Sequence, residues 1–145
     1  MRCVVQKVKK SSVTVDGKVV SKIGKGLNVL VGFTEGDSLK EIEYCVRKIV
    51  NLRVFEDEND VMNRSVLDEK GEILSISQFT LYGDTRKGNR PSYIKALGGE
   101  KAEPLYNKFN ELLNEHVPTK GGIFGADMKV EILNDGPTTI IIDTE

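Results

Sequence analysis

The chain has 145 residues, 39% of them apolar and 30% charged, with a net charge of −1 at pH 7. That length suits one domain over residues 1–145 with its own core, and the balance excludes a disordered polymer and a globally basic nucleic-acid binder. No apolar run is long enough to cross a bilayer, and the opening Met1-Arg2-Cys3-Val4-Val5-Gln6 lacks the apolar stretch and cleavage site of a signal peptide, so a cytoplasmic location is expected by elimination.

In chain order, the first third reads as strands. Ser12-Val13-Thr14-Val15 alternates, Asp16-Gly17 supplies a tight turn and Lys18-Val19-Val20 resumes, a hairpin pattern in which glycine accepts the positive φ the turn requires. Gly24 and Gly26 mark a second turn, and residues 27–33 follow as a largely buried strand. Ser38 and Glu41 have capping-box spacing, and Leu39, Ile42, Val46 and Ile49 recur at helical intervals, which predicts a helix with one face on the core. Cys3 and Cys45 fit no metal-ligand spacing and are expected to be reduced, buried thiols.

Residues 51–55 read as a return to strand, and the acidic residues 56–60 as an exposed loop. Residues 72–77 form a strand that runs into Gln78-Phe79-Thr80-Leu81-Tyr82-Gly83. A second helix covers about residues 100–116, with Pro104 in its first turn and Leu105, Phe109, Leu112 and Leu113 as its apolar stripe. Residues 121–125 are a glycine-rich flexible turn, and residues 127–133 and 138–143 are two closing strands separated by Asn134-Asp135-Gly136-Pro137. The pattern, about eight strands and two helices without regular crossovers, predicts an α+β fold. The expected architecture is a compact β-rich domain with a curved, partly closed sheet and flanking helices.

The common catalytic sets are missing. The single histidine, His116, ends a polar helix, where a cation is favoured by the helix dipole and a structural role follows. The chain has no Gly-x-Ser-x-Gly elbow, no Walker loop, no Rossmann fingerprint and no metal-ligand cluster. An enzyme built from this sequence works largely without a titrating side chain, metal or cofactor.

Three segments stand out, each open to two readings. Ser77-Gln78-Phe79-Thr80-Leu81 puts polar groups where a buried strand ends: either a strand end with its polar groups satisfied, or a set of donors aimed at the developing oxyanion of an ester. Gly136-Pro137 is either a simple turn or a cis peptide that fixes its flanking carbonyls. The stretch from Arg86 through Lys87 and Arg90 to Lys95 carries four cations and no acid, as a solvated loop or a phosphate-contacting patch.

Ser77-Gln78-Phe79-Thr80-Leu81, Lys87-Gly88-Asn89-Arg90-Pro91-Ser92, Phe124-Gly125-Ala126-Asp127-Met128 and Asn134-Asp135-Gly136-Pro137, in that order, resemble the D-aminoacyl-tRNA deacylases, as do the opening residues 1–15 and Asn51-Leu52-Arg53-Val54-Phe55. The resemblance implies a β-rich homodimeric esterase that strips D-amino acids from tRNA. It implies an active site at the dimer interface, with Ser77, Gln78, Phe79 and Thr80 lining the pocket of one subunit. Gly136 and Pro137 of the other subunit would enter that pocket through a cis bond. Phe124 and Met128 suit either core packing or the flat terminal adenine, and Arg86, Lys87 and Arg90 suit the acceptor-stem phosphates. Two positions depart from the family's usual pattern: Lys7 stands where Arg is usual, and Thr138 where Val is usual.

The expected mechanism has carbonyls around Gly136-Pro137 holding the substrate amine, so that a D side chain points outward and an L side chain meets the Pro137 ring. Glycine, with no side chain to reject, is expected to be a partial substrate. Attack by water with help from the ribose 2′-hydroxyl is preferred to Thr80 as nucleophile, because no base stands near it in sequence. The rival readings are a nucleic-acid-binding module of the same fold without catalysis, and a fold retained for dimerisation alone.

Overall fold

The long first strand organises the molecule. The computed structural model describes residues 1–145. It has eight strands, β1 (Arg2–Val15), β2 (Lys18–Ile23), β3 (Gly26–Gly32), β4 (Phe55–Glu56), β5 (Met62–Arg64), β6 (Glu72–Ser77), β7 (Thr119–Gly121) and β8 (Lys129–Asp143), with helices α1 (Leu39–Asn51) and α2 (Gly99–Asn114). The N-terminal half of β1 pairs antiparallel with β3 (Arg2 opposite Gly32, Val8 opposite Gly26), and its C-terminal half turns at Asp16-Gly17 into β2. Its other edge is taken along nearly its whole length by β8.

Alternation explains how one strand serves two cores. Cys3 and Val5 are buried and alternate with half-buried Val4 and Gln6; then Lys7 and Val8 are buried in succession and the phase changes. Cys3 and Val5 belong to the larger apolar cluster, between the sheet and the two helices, whereas Val8 and Val13 join Ile23, Leu74 and Ile76 in a smaller one. The sheet curls around that second cluster. Its far margins are joined by side chains: the Ser21 hydroxyl donates to the Gly121 carbonyl at 2.6 Å, and the Lys120 ammonium donates to the Lys22 carbonyl at 2.9 Å. The predicted α+β class with a nearly closed curved sheet and two helices is the observed one.

The sheet is mixed. β3, β6 and β7 run parallel, joined by segments containing α1 and α2, so two crossover helices are present despite the irregular spacing of the strands. In α1 the Ser38 backbone N–H donates to the Glu41 carboxylate at 2.8 Å, and Ile42, Cys45, Val46, Ile49 and Val50 face the core. Leu39 is exposed, because it opens the helix before the chain has turned onto the core. Helix α2 buries Ala102, Tyr106, Phe109 and Leu113, while Leu105 and Leu112 flank that seam. The hydrogen bond with Cys45 and burial together push the Cys3 thiol up, so it stays neutral.

Two strand assignments differ. Asn51 is the last residue of α1, and strand structure begins only at Phe55, which pairs with Arg64 in a small separate hairpin. The apolar pattern of Leu52 and Val54 reflects packing of an irregular connection, not a ladder. The two closing strands are one 15-residue strand, β8, interrupted in register: Thr139 faces Gln6 and Asn134 faces Val8, so residues 135–138 are looped out opposite Lys7 alone.

Candidate active site

The parallel pair β3–β6 ends at one place, and that place is a cavity of about 630 Å³. It is lined by the ends of both strands (Val31 to Phe33 and Ile76 to Phe79), by residues 96–99 with Ala102 of α2, by residues 124–128, and by Tyr93 and Val130. The size and apolar walls suit a small-molecule-sized moiety fixed by a few polar groups. No lysine or arginine lines it; its polar side chains are Ser77, Gln78, Asp127 and the Tyr93 phenol.

The strand end is shaped by close backbone contacts. The Gln78 N–H donates to the Val31 carbonyl at 2.7 Å, which carries the chain one step past β6 before it tightens into a 3₁₀ turn over Phe79–Tyr82. The Phe79 and Thr80 N–H groups open that turn and have no acceptor within it. A Cβ on Gly32 would sit 2.9 Å from the Gln78 carbonyl oxygen and 3.3 Å from Leu81, so only glycine at the end of β3 lets the two strand ends approach this closely.

The predicted site residues fall into three groups. Ser77, Gln78, Phe79, Phe124 and Met128 line the cavity together. Thr80 lies just outside the lining, exposed, its hydroxyl accepting a hydrogen bond from the Gln78 side-chain amide. Phe124 also tilts against Tyr106, centroids 5.9 Å apart, and Tyr106 donates to the Ser75 carbonyl at 2.7 Å, so Phe124 both packs on the core and faces the cavity.

Gly136 and Pro137 are exposed, in the loop that β8 throws out, and line no part of their own chain's cavity. The Gly136–Pro137 peptide is cis. Gly136 has φ +116°, and a Cβ there would meet the Thr138 hydroxyl at 2.6 Å, which restricts the position to glycine. Asn134 closes the loop: its amide donates to the carbonyls of Lys7 and Thr138, both at 3.0 Å, while its oxygen accepts from Gln6 at 3.3 Å and Thr139 at 3.2 Å. The Lys7 side chain is buried beneath, its ammonium 3.9 Å from the Glu56 carboxylate.

The basic stretch lies beside the cavity rather than in it. Lys87, Arg90 and Lys95 share a groove of about 180 Å³ with Asp84, Ser92 and Ile94. Arg86 is engaged elsewhere, by two side-chain contacts to Asp84 at 2.7 and 3.0 Å, and these hold the Asp84 carboxyl well below its usual range. The acid-free run of cations therefore offers three uncommitted charges, because Asp84, just upstream, takes the fourth.

Tyr93, the end of β3 and residues 96–99 were not expected at the site, and Asn134, quoted within a motif, was given no part in closing the loop. Tyr93 had a visible signal, an aromatic set among cations; the others are revealed only by which segments meet.

Against known proteins, the family model described as D-Tyr-tRNA(Tyr) deacylase matches residues 4–143. The chain is 60% identical to the D-aminoacyl-tRNA deacylase of Clostridium acetobutylicum, over 100% of this chain and 98% of that protein. It is 59% identical to that of Clostridium botulinum (strain Eklund 17B / Type B), covering 99% and 97%. Among solved structures, one described as c-Myc DNA Unwinding Element Binding Protein superposes with TM-score 0.95 at 48% identity, over 100% of this chain and 99% of the other. A second, described as a probable eukaryotic D-amino acid tRNA deacylase, has the same fold with TM-score 0.82 at 17% identity, over 97% of both chains. With this coverage the chain belongs to the D-Tyr-tRNA(Tyr) deacylase family, hydrolases that act on aminoacyl-tRNA.

Proposed function

We propose that this chain removes D-amino acids from tRNA by hydrolysing the aminoacyl ester, that it excludes L-aminoacyl esters sterically, and that it also cleaves glycyl-tRNA. The observation that carries this reading is the cavity at the end of β3 and β6, lined by Ser77, Gln78 and Phe79, with the Phe79 and Thr80 N–H groups opening the turn beside it; its one carboxylate, Asp127, is paired with Lys129 at 2.9 Å. Donors fixed by strand ends suit a carbonyl that gains negative charge, and they need no reorganisation during reaction. Water adds to the ester carbonyl, the bond to the ribose oxygen breaks, and that oxygen takes the proton with the neighbouring 2′-hydroxyl assisting. Free D-amino acid and tRNA leave. Thr80 accepts a hydrogen bond from Gln78 and has no base beside it, and the want of a base favours water over a threonine nucleophile.

Chirality is assigned to Gly136 and Pro137 of a second copy of the chain. Their exposure at the tip of a braced loop, away from their own cavity, supports insertion into a neighbour's. Carbonyls around that pair fix the substrate amine; a D side chain points outward and an L side chain meets the proline ring. Lys87 and Arg90 contact acceptor-stem phosphates, Phe124 and Met128 face the terminal adenine, and the working form is a homodimer in the cytoplasm, where charged tRNA is found.

The test is release of free amino acid from D-tyrosyl-, L-tyrosyl- and glycyl-tRNA, with Pro137→Ala alongside. The wild type is expected to cleave the D ester, spare the L ester and cleave the glycyl ester measurably; Pro137→Ala is expected to admit the L ester. Equal wild-type rates on both enantiomers would overturn the chiral assignment. The similarity to the c-Myc DNA Unwinding Element Binding Protein structure keeps a second reading, a nucleic-acid-binding module without catalysis; failure to release any free D-tyrosine would favour it.

A further inference from the structure

The cavity and the cationic groove meet at one short strap. Residues 84–97 are tied down at two points. Asp84 and Ser92 exchange backbone hydrogen bonds at 2.8 and 2.9 Å, and Lys95 and Leu97 are bound to the end of β3 by Thr34 Oγ1 to the Lys95 carbonyl at 2.5 Å and Leu97 N–H to the Phe33 carbonyl at 3.0 Å. Between these anchors Tyr93, Ile94 and Lys95 are presented outward. Tyr93 lines the cavity, whereas Ile94 and Lys95 line the cationic groove. Tyr93 meets Phe79 edge to face, centroids 5.1 Å apart at 71°. Phe79 is 55% exposed, Tyr93 40% and Ile94 92%. An edge-to-face contact covers a single ring face, so about half of the aromatic surface stays open at the cavity rim.

A solvent-facing isoleucine beside two half-exposed aromatic rings makes an apolar patch that something flat and apolar would cover. Three cations, Lys87, Arg90 and Lys95, stand alongside in a groove whose one acid, Asp84, is already bonded to Arg86, and their excess charge selects an anionic partner. Bases on a phosphate backbone satisfy both demands, and single strands are held by this combination of stacking surface and cationic track. We propose that the Tyr93–Ile94 strap is the binding site for the nucleotide preceding the terminal adenosine of the substrate, its base stacked on the Tyr93–Phe79 surface and its phosphate directed to Lys95 and Arg90. The inference rests on the deacylase reading and extends the substrate's path beyond the cavity, which has room for the terminal residue and its amino acid.

The test compares two small esters with the same chemistry, D-tyrosyl-adenosine and the D-tyrosyl trinucleotide ending in that adenosine, as the ratio of their kcat/KM values. The wild-type ratio is expected to favour the trinucleotide, Tyr93→Ala to lower the ratio about tenfold, the size of one lost base stack, Tyr93→Phe to keep it, and Ile94→Ser to lower it less. A wild-type ratio near one, or a ratio that Tyr93→Ala leaves unchanged, overturns the assignment. So does an altered oligomeric mass of Tyr93→Ala in sedimentation, which would give the patch to a subunit contact. Wild-type inactivity on both esters would instead overturn the deacylase reading, and this inference with it.

Discussion

The two halves of the candidate site rest on different foundations. Ser77, Gln78 and Phe79 prolong β6, a strand with β3 on one side and β7 on the other and with Ile73, Leu74, Ser75 and Ile76 all buried. Gly136 and Pro137 project from β8, which has β1 on one side, no strand on the other, and exposed Leu133 and Ile141 along its length. The groups assigned to the chemistry stand at the end of a strand buried along its body. Those assigned to chirality stand on an edge, where a second chain has access. A strand whose body is buried holds its end in place, which suits donors that must meet one carbonyl oxygen; an edge is where one molecule offers a feature to another.

That contrast can be broken by mutation. The largest effect is expected from Leu74→Ala on β6, a loss of about 2–5 kcal/mol in denaturant unfolding, against less than about 0.5 kcal/mol for Ile141→Ala on β8 when the unfolding is measured at low protein concentration. Similar losses at both positions would erase the distinction. Gly32→Val should push the Gln78 carbonyl away and lower kcat for D-tyrosyl-tRNA about a hundredfold, the usual scale for misplacing a reacting group by about an ångström. Asn134→Ala frees the looped-out segment rather than the strand end, and should cost about tenfold in discrimination between D and L esters with a stability loss of about 1–3 kcal/mol.

Smaller effects concern the cations. Removing Lys87 or Arg90 should reduce the salt slope of tRNA binding by about one each, whereas Arg86→Ala should change it less, because Arg86 is held by Asp84. Asp84 has a carboxyl depressed in the folded state from its ordinary 3.8. Its contribution is complete above that value and is lost only as pH falls below it. The salt slope should therefore be the same at pH 5 and pH 8; a rise on acidification within that window would mean that Arg86 is being released.

How much of this was legible in the sequence follows from what each signal depends on. The Asp16-Gly17 hairpin and the Ser38–Glu41 helix start were readable because the residues that decide them lie within four positions of each other. The α2 seam was read one step off: Leu105 and Leu112 looked as apolar as Tyr106 and Ala102, and only the position of Ser75 shows why a tyrosine is turned inward. β8 looked like two strands because Gly136-Pro137 normally ends one; the continuous β1 beside it holds both halves in one ladder. The Ser77 to Phe79 segment was identified by motif. That β3, the 96–99 segment and Tyr93 complete its cavity depends on contacts between residues far apart in the chain, and no local pattern encodes them.

The double-sided pairing of β1 has a consequence for biosynthesis. This strand leaves the ribosome well before β8, the partner that covers its outer edge, and Arg2 must wait for Asp143. Throughout elongation a row of unsatisfied amides and carbonyls stays open on the nascent polypeptide. Chaperone dependence in the cell should therefore concentrate on that interval, and a variant lacking β8 should yield insoluble material rather than a smaller enzyme.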